Sequence, residues 1–165
     1  MKGRRGLVIT DRQLDRCDTL LGELKDLLDC SFLALISTSG QPITTASDEF
    51  HPETLSLASL TASAFAATRQ LAEILNEREF TLLFHEGSSM NLHVAQVNTQ
   101  VLLLITFGRE VPVGKVRLYT QRAIVVLQRI FEDERDAEYR LVIDDEYEAT
   151  ADRAIDEVFR DNAAG

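Results

Sequence analysis

The chain of 165 residues is predicted to be an α/β protein, an α+β sandwich of one antiparallel five-stranded sheet with helices on both faces. Three observations predict it. Residues 30–38 are apolar on both faces, as in a central strand covered on both sides. Short strand-like runs are separated by tight-turn residues, the mark of antiparallel hairpins. Longer segments between them repeat their apolar residues every three or four positions, the period of amphipathic helices. The predicted order is α-β-β-α-β-β-β-α, plus a C-terminal amphipathic helix.

The elements follow in order. After the apolar run Leu7-Val8-Ile9, Thr10-Asp11 supplies an N-cap, and Leu14, Cys17, Leu21, Leu24 and Leu28 form the buried stripe of a first helix. Ser39-Gly40-Gln41 turns the 30–38 strand into a shorter one over 42–46, where Pro42 belongs at a strand's start or on an edge. Pro52 then stands where helices often begin. A second helix from about Glu53 to Asn76 places Leu57, Leu60, Ala64, Ala67, Leu71, Ile74 and Leu75 on one face, expected to be its buried stripe. The rest of its circumference is short-chained and nearly uncharged. Ser59, Ala62, Ser63, Ala66 and Gln70 are therefore expected to form a docking surface, because short side chains admit a close second backbone.

Three further strands are expected over 80–86, 90–97 and 100–107, with hairpin turns at Gly87-Ser88-Ser89 and Asn98-Thr99. A third helix carries Val116, Tyr119, Ala123, Val126, Leu127 and Ile130 on its buried stripe. From Glu132 the chain turns acidic. Beyond that, Tyr147, Ala151, Ile155, Val158 and Phe159 mark an amphipathic segment that is too short to be stable alone and needs a surface to pack on. The expected organisation is a folded domain over 1–131, an acidic linker over 132–146 and a C-terminal amphipathic helix over 147–162.

Composition excludes more than it names. With 17 Lys+Arg against 27 Asp+Glu the net charge is −10, which disfavours nucleic acid and anionic membranes as partners. The longest apolar run, 101–107, is far below the roughly 20 residues that span a bilayer. No small-residue cleavage site follows the start, so a cytoplasmic chain is expected. Cys17 and Cys30 are too few for a disulfide framework and are expected to behave as small buried hydrophobes.

Nothing in the sequence builds an active site. His51, His85 and His93 are too few for a metal centre, although His85 and His93 could meet across a hairpin. Phosphate loop, nucleophile elbow, Cys-x-x-Cys pair and calcium-loop spacing are all missing, so no catalytic residue, cofactor or metal is expected. Binding or regulation is the better class.

The element order, the Ser-Gly-Gln-Pro turn at 39–42 and Leu-Ser-Leu-Ala-Ser-Leu-Thr-Ala at 55–62 resemble the Roadblock / dynein light chain family. Phe84-His-Glu-Gly87, Val113-Gly-Lys-Val-Arg-Leu118 and Ala154-Ile-Asp-Glu-Val-Phe159 resemble its bacterial branch of polarity and gliding-motility regulators. The resemblance implies a Roadblock fold and a homodimer that binds a Ras-like GTPase, two regulators per GTPase, and is concentrated at a cell pole. It implies that the regulator accelerates GTP hydrolysis without an arginine finger, so Arg69 is expected to be an ordinary surface residue. It also implies a second GTPase contact through the C-terminal helix, with Ile155, Val158 and Phe159 facing the partner and promoting nucleotide exchange. Two rivals are a Roadblock scaffold subunit with no effect on nucleotide turnover and a small-ligand sensor.

Overall fold

A computed structural model describes residues 6–137. The C-terminal helix expected over 147–162, with Ile155, Val158 and Phe159, lies outside the described residues.

Eight elements follow one another: α1 (Asp11–Leu28), β1 (Phe32–Ser37), β2 (Pro42–Ser47), α2 (Thr54–Ile74), β3 (Leu82–His85), β4 (Met90–Gln96), β5 (Val101–Gly108) and α3 (Val113–Ala137). The strands form one antiparallel sheet in the order β2-β1-β5-β4-β3, as the sequence predicts for fold class and element order. β2 is an edge strand and Pro42 its first residue, where a missing N–H costs the ladder least.

α1 starts with a capping box: the Thr10 hydroxyl accepts from the Gln13 amide while the Gln13 side chain accepts from the Thr10 N–H. Gln13 is buried and also donates to the Ile130 carbonyl at 3.1 Å, which ties α1 to α3. The ion pair Arg16–Asp133, 3.0 Å apart, repeats that link nearer the surface.

Strand alternation splits the core into two layers. Leu33 and Leu35 of β1, with Val101, Leu103, Ile105 and Phe107 of β5, pack against α1 and α3. Phe32, Ala34, Ile36, Leu102 and Leu104 point the other way, toward α2. This two-sided burial explains why β1 and β5 read as continuous apolar runs. The whole predicted stripe of α3 is buried, as are Cys17, Leu21, Leu24 and Leu28 of α1.

α2 overturns the expectation for its buried face. It rests on the sheet through Ala58, Thr61, Ala62, Phe65 and Ala72. Most of the leucine stripe faces away, with Leu60 70 % exposed, Leu71 52 % and Ile74 75 %, although its first member, Leu57, is half-buried against the sheet. Close approach is the reason. A Cβ on Gly40, in the β1–β2 turn, would stand 2.9 Å from the Ser59 Cα, and the Ser59 hydroxyl donates to the Gly40 carbonyl at 3.1 Å. The close approach is at this turn, where the small Ala58 and Ala62 fit beneath the helix, and Phe65 fills the space a turn further along.

The two hairpin histidines do not meet. His93 is registered with Phe84, and His85 with Leu92, so their side chains project from opposite faces of the sheet. Among the described residues no cluster of three His, Cys, Asp or Glu is placed to hold a metal, and no helix is long and apolar enough to cross a membrane.

Candidate functional site

The candidate site is the outer surface of α2. Ser59, Ser63, Ala66 and Gln70 are exposed and occupy one strip along the helix, between its sheet-facing side and the leucine stripe. Ala62, expected with them, is buried against the sheet at 5 % exposure. The Ser63 hydroxyl is already bonded to the Ser59 carbonyl at 2.9 Å and the Ser59 hydroxyl to Gly40, so the strip presents few unpaired polar groups. From Leu55 to Thr68 the helix carries no charged side chain. Bringing another protein onto such a strip desolvates little charge.

Beside the strip, Leu60, Leu71, Ile74 and Leu75 are exposed large apolar side chains on one face of the helix. Contiguous apolar surface of this kind marks interaction sites on otherwise soluble domains. The patch was visible in the sequence as a helical stripe, but periodicity marks an apolar face without saying whether the chain itself covers it. At the far edge of the sheet, β3 pairs on one side only, with β4. Its other row of backbone N–H and C=O groups is open to a further strand.

No chemistry of its own is assembled here among the described residues. Arg69 is an exposed side chain of α2. His93 is fully buried, with neither ring nitrogen hydrogen-bonded. Desolvation, and then the Arg117 charge, pull its imidazole down to about 4, so it is neutral at physiological pH. Burial pushes the Cys17 and Cys30 thiols up to about 12, with Asp18 adding to the shift at Cys17, and both cysteines are free. Thiols so far from ionising are poor nucleophiles, which fits their expected role as packing residues.

An open sheet of this order, flanked by α2 on one face and by α1 and α3 on the other, defines a Roadblock-type domain. The model of the Roadblock/LC7 domain matches residues 17–107, and the chain belongs to that family. Among solved structures it is similar to MglB of Myxococcus xanthus, with 32 % identity over 77 % of this chain and 96 % of that one, at a TM-score of 0.72. It is equally similar to the gliding protein MglB of Thermus thermophilus, at 31 % identity with the same coverage and TM-score. A Roadblock/LC7 domain from Streptomyces avermitilis shares the fold at 15 % identity, covering 74 % of this chain and 97 % of that one, with a TM-score of 0.56. No curated protein matches the chain.

Proposed function

We propose that this chain is an MglB-like regulator that activates a bacterial Ras-like GTPase of the MglA type. The observation that carries the reading is the 32 % identity to MglB over nearly the whole length of the solved MglB chain. The uncharged strip on α2 supports it independently, as a surface suited to protein docking.

The regulator works as a homodimer, two copies to each GTPase. Two features favour self-association: the apolar patch on α2 and the open β3 edge, which a second β3 would extend into a continuous sheet. Ser59, Ser63, Ala66 and Gln70 face the GTPase. Ile155, Val158 and Phe159 make a second contact that promotes nucleotide exchange.

No side chain of this protein enters the GTPase active site. Hydrolysis in Ras-like enzymes waits on placing the attacking water and an Arg against the developing charge. A partner that binds preferentially to the GTPase conformation in which those groups are aligned raises the rate by shifting the population. The regulator contributes binding energy and the GTPase contributes the chemistry. Cytoplasmic placement, concentrated at a cell pole, belongs to the same proposal.

The test is single-turnover GTP hydrolysis by a cognate MglA-like GTPase, with and without this protein. Acceleration is expected. Ala66→Arg puts a long charged side chain on an exposed helix position, so it should leave folding intact and lower the stimulation roughly tenfold or more, equivalent to about 1.4 kcal/mol of docking energy. Binding of the GTPase with an unchanged hydrolysis rate would establish the scaffold reading instead.

A further inference from the structure

Two adjoining clefts, of about 520 and 450 Å³, share Thr81, Gln96 and Gln128. Together they form one groove between α3 and the β3–β4 half of the sheet, on the face opposite α2. Ala95 and Val97 make its buried floor, while the half-buried Ile124 and Phe131 of α3 make an apolar wall. Arg117 stands at one end of the groove and Glu132 at the other. α3 continues past Glu132 to Ala137, so the chain leaves α3 close to the Glu132 end.

We propose that residues 147–162 of the same chain dock in this groove as a helix, with Tyr147, Ala151, Ile155, Val158 and Phe159 turned toward its apolar lining. The lengths agree. The stretch of α3 from Arg117 to Glu132 and a helix over 147–162 each measure about 24 Å, at roughly 1.5 Å per residue. The intervening residues 138–146 span up to about 30 Å when extended, more than enough for the chain to reverse.

The charges agree as well. Among the described residues no carboxylate lines the larger cleft, where Arg117 stands, and reversal brings residues 156–161 to that end, where Asp156, Glu157 and Asp161 outnumber Arg160. Tethering matters too, since a short linker holds the segment at an effective concentration on the order of millimolar, so a modest intrinsic affinity fills the groove. The docked tail belongs to the free protein; the GTPase contact proposed for Ile155, Val158 and Phe159 would require the tail to leave the groove, and the spin-label test uses the chain without a GTPase.

A spin label at Asn162→Cys in the full-length, isotope-labelled protein tests it. Cys17 and Cys30 are buried, so the label goes to the new thiol. The amide signals of Ala95, Gln121 and Ile124 should be lost to paramagnetic broadening. The double variant Ile155→Asp/Phe159→Asp, made in the same labelled chain, should restore them. Unbroadened groove amides, or broadening centred on the leucine stripe of α2, would overturn the proposal. Equal broadening in a mixture of spin-labelled and isotope-labelled chains would also overturn it, because the tail would then belong to a second copy.

Discussion

His93 lies on β4 among apolar neighbours, beneath α3, with both ring nitrogens unpaired and Arg117 nearby. Its folded pKa of about 4 lies below the ordinary 6.5 of histidine, so the unfolded chain binds the proton more tightly. The stability that goes with the neutral ring is therefore complete above pH 6.5 and is lost as pH falls toward 4. The loss should reach about 3 kcal/mol at about 1.4 kcal/mol per unit. Urea titrations between pH 7 and 4 should show this decline, and His93→Leu should flatten it. Gly40 is a second residue with a specific role. Its φ of +92° and its contact with the Ser59 Cα leave no room for a side chain. Gly40→Ala should cost at least about 1–2 kcal/mol, the ordinary penalty of a left-handed backbone for a residue with a Cβ. The loss should appear in thermal melts, with faster hydrogen exchange over the first turns of α2. Ser-Gly-Gln-Pro was legible as a turn from residue types alone. That α2 presses on this turn was not, because Gly40 and Ser59 meet only through tertiary packing.

α1 and α3 differ from α2 in how much of them the sequence revealed. In α3 most large apolar residues stand on one face and the charged ones lie off it, so one orientation buries that stripe and leaves only Leu118 and Val125 exposed. α2 has apolar residues on two faces, one short and one long, and lacks charges over 55–68 to rank them. Hydrophobicity alone favours the leucines, yet the sheet takes the alanines because the helix lies so close. The leucines are left for another surface. If that surface is a second copy, Leu71→Asp places a charge within the association face without touching the monomer core. Light scattering should then show a monomer for the variant where the wild type is a dimer, with an unchanged circular dichroism spectrum.

Across the whole molecule, the net charge of −10 is unevenly placed. Acidic residues gather from Glu132 onward, whereas the exposed strip of α2 is neutral and no carboxylate among the described residues lines the larger cleft beside α3, whose one charged side chain is Arg117. The uncharged strip of α2 and the groove lie on opposite faces of the sheet. Occupying one therefore leaves the other accessible, and the spin-label and GTPase experiments read the two separately.

By itself the sequence determined the elements, their order, the hairpins and the stripes of α1 and α3, because caps, turns and helical period are local properties of neighbouring residues. It also pointed to α2 as the surface worth watching, through its missing charges. Only the tertiary structure decided which face of α2 meets the sheet, that His85 and His93 point to opposite sides, and that a groove runs beside α3. Each of these depends on strand register and on the distance between layers. Those are set when residues far apart in the chain compete for the same interior volume, and no local pattern records the outcome.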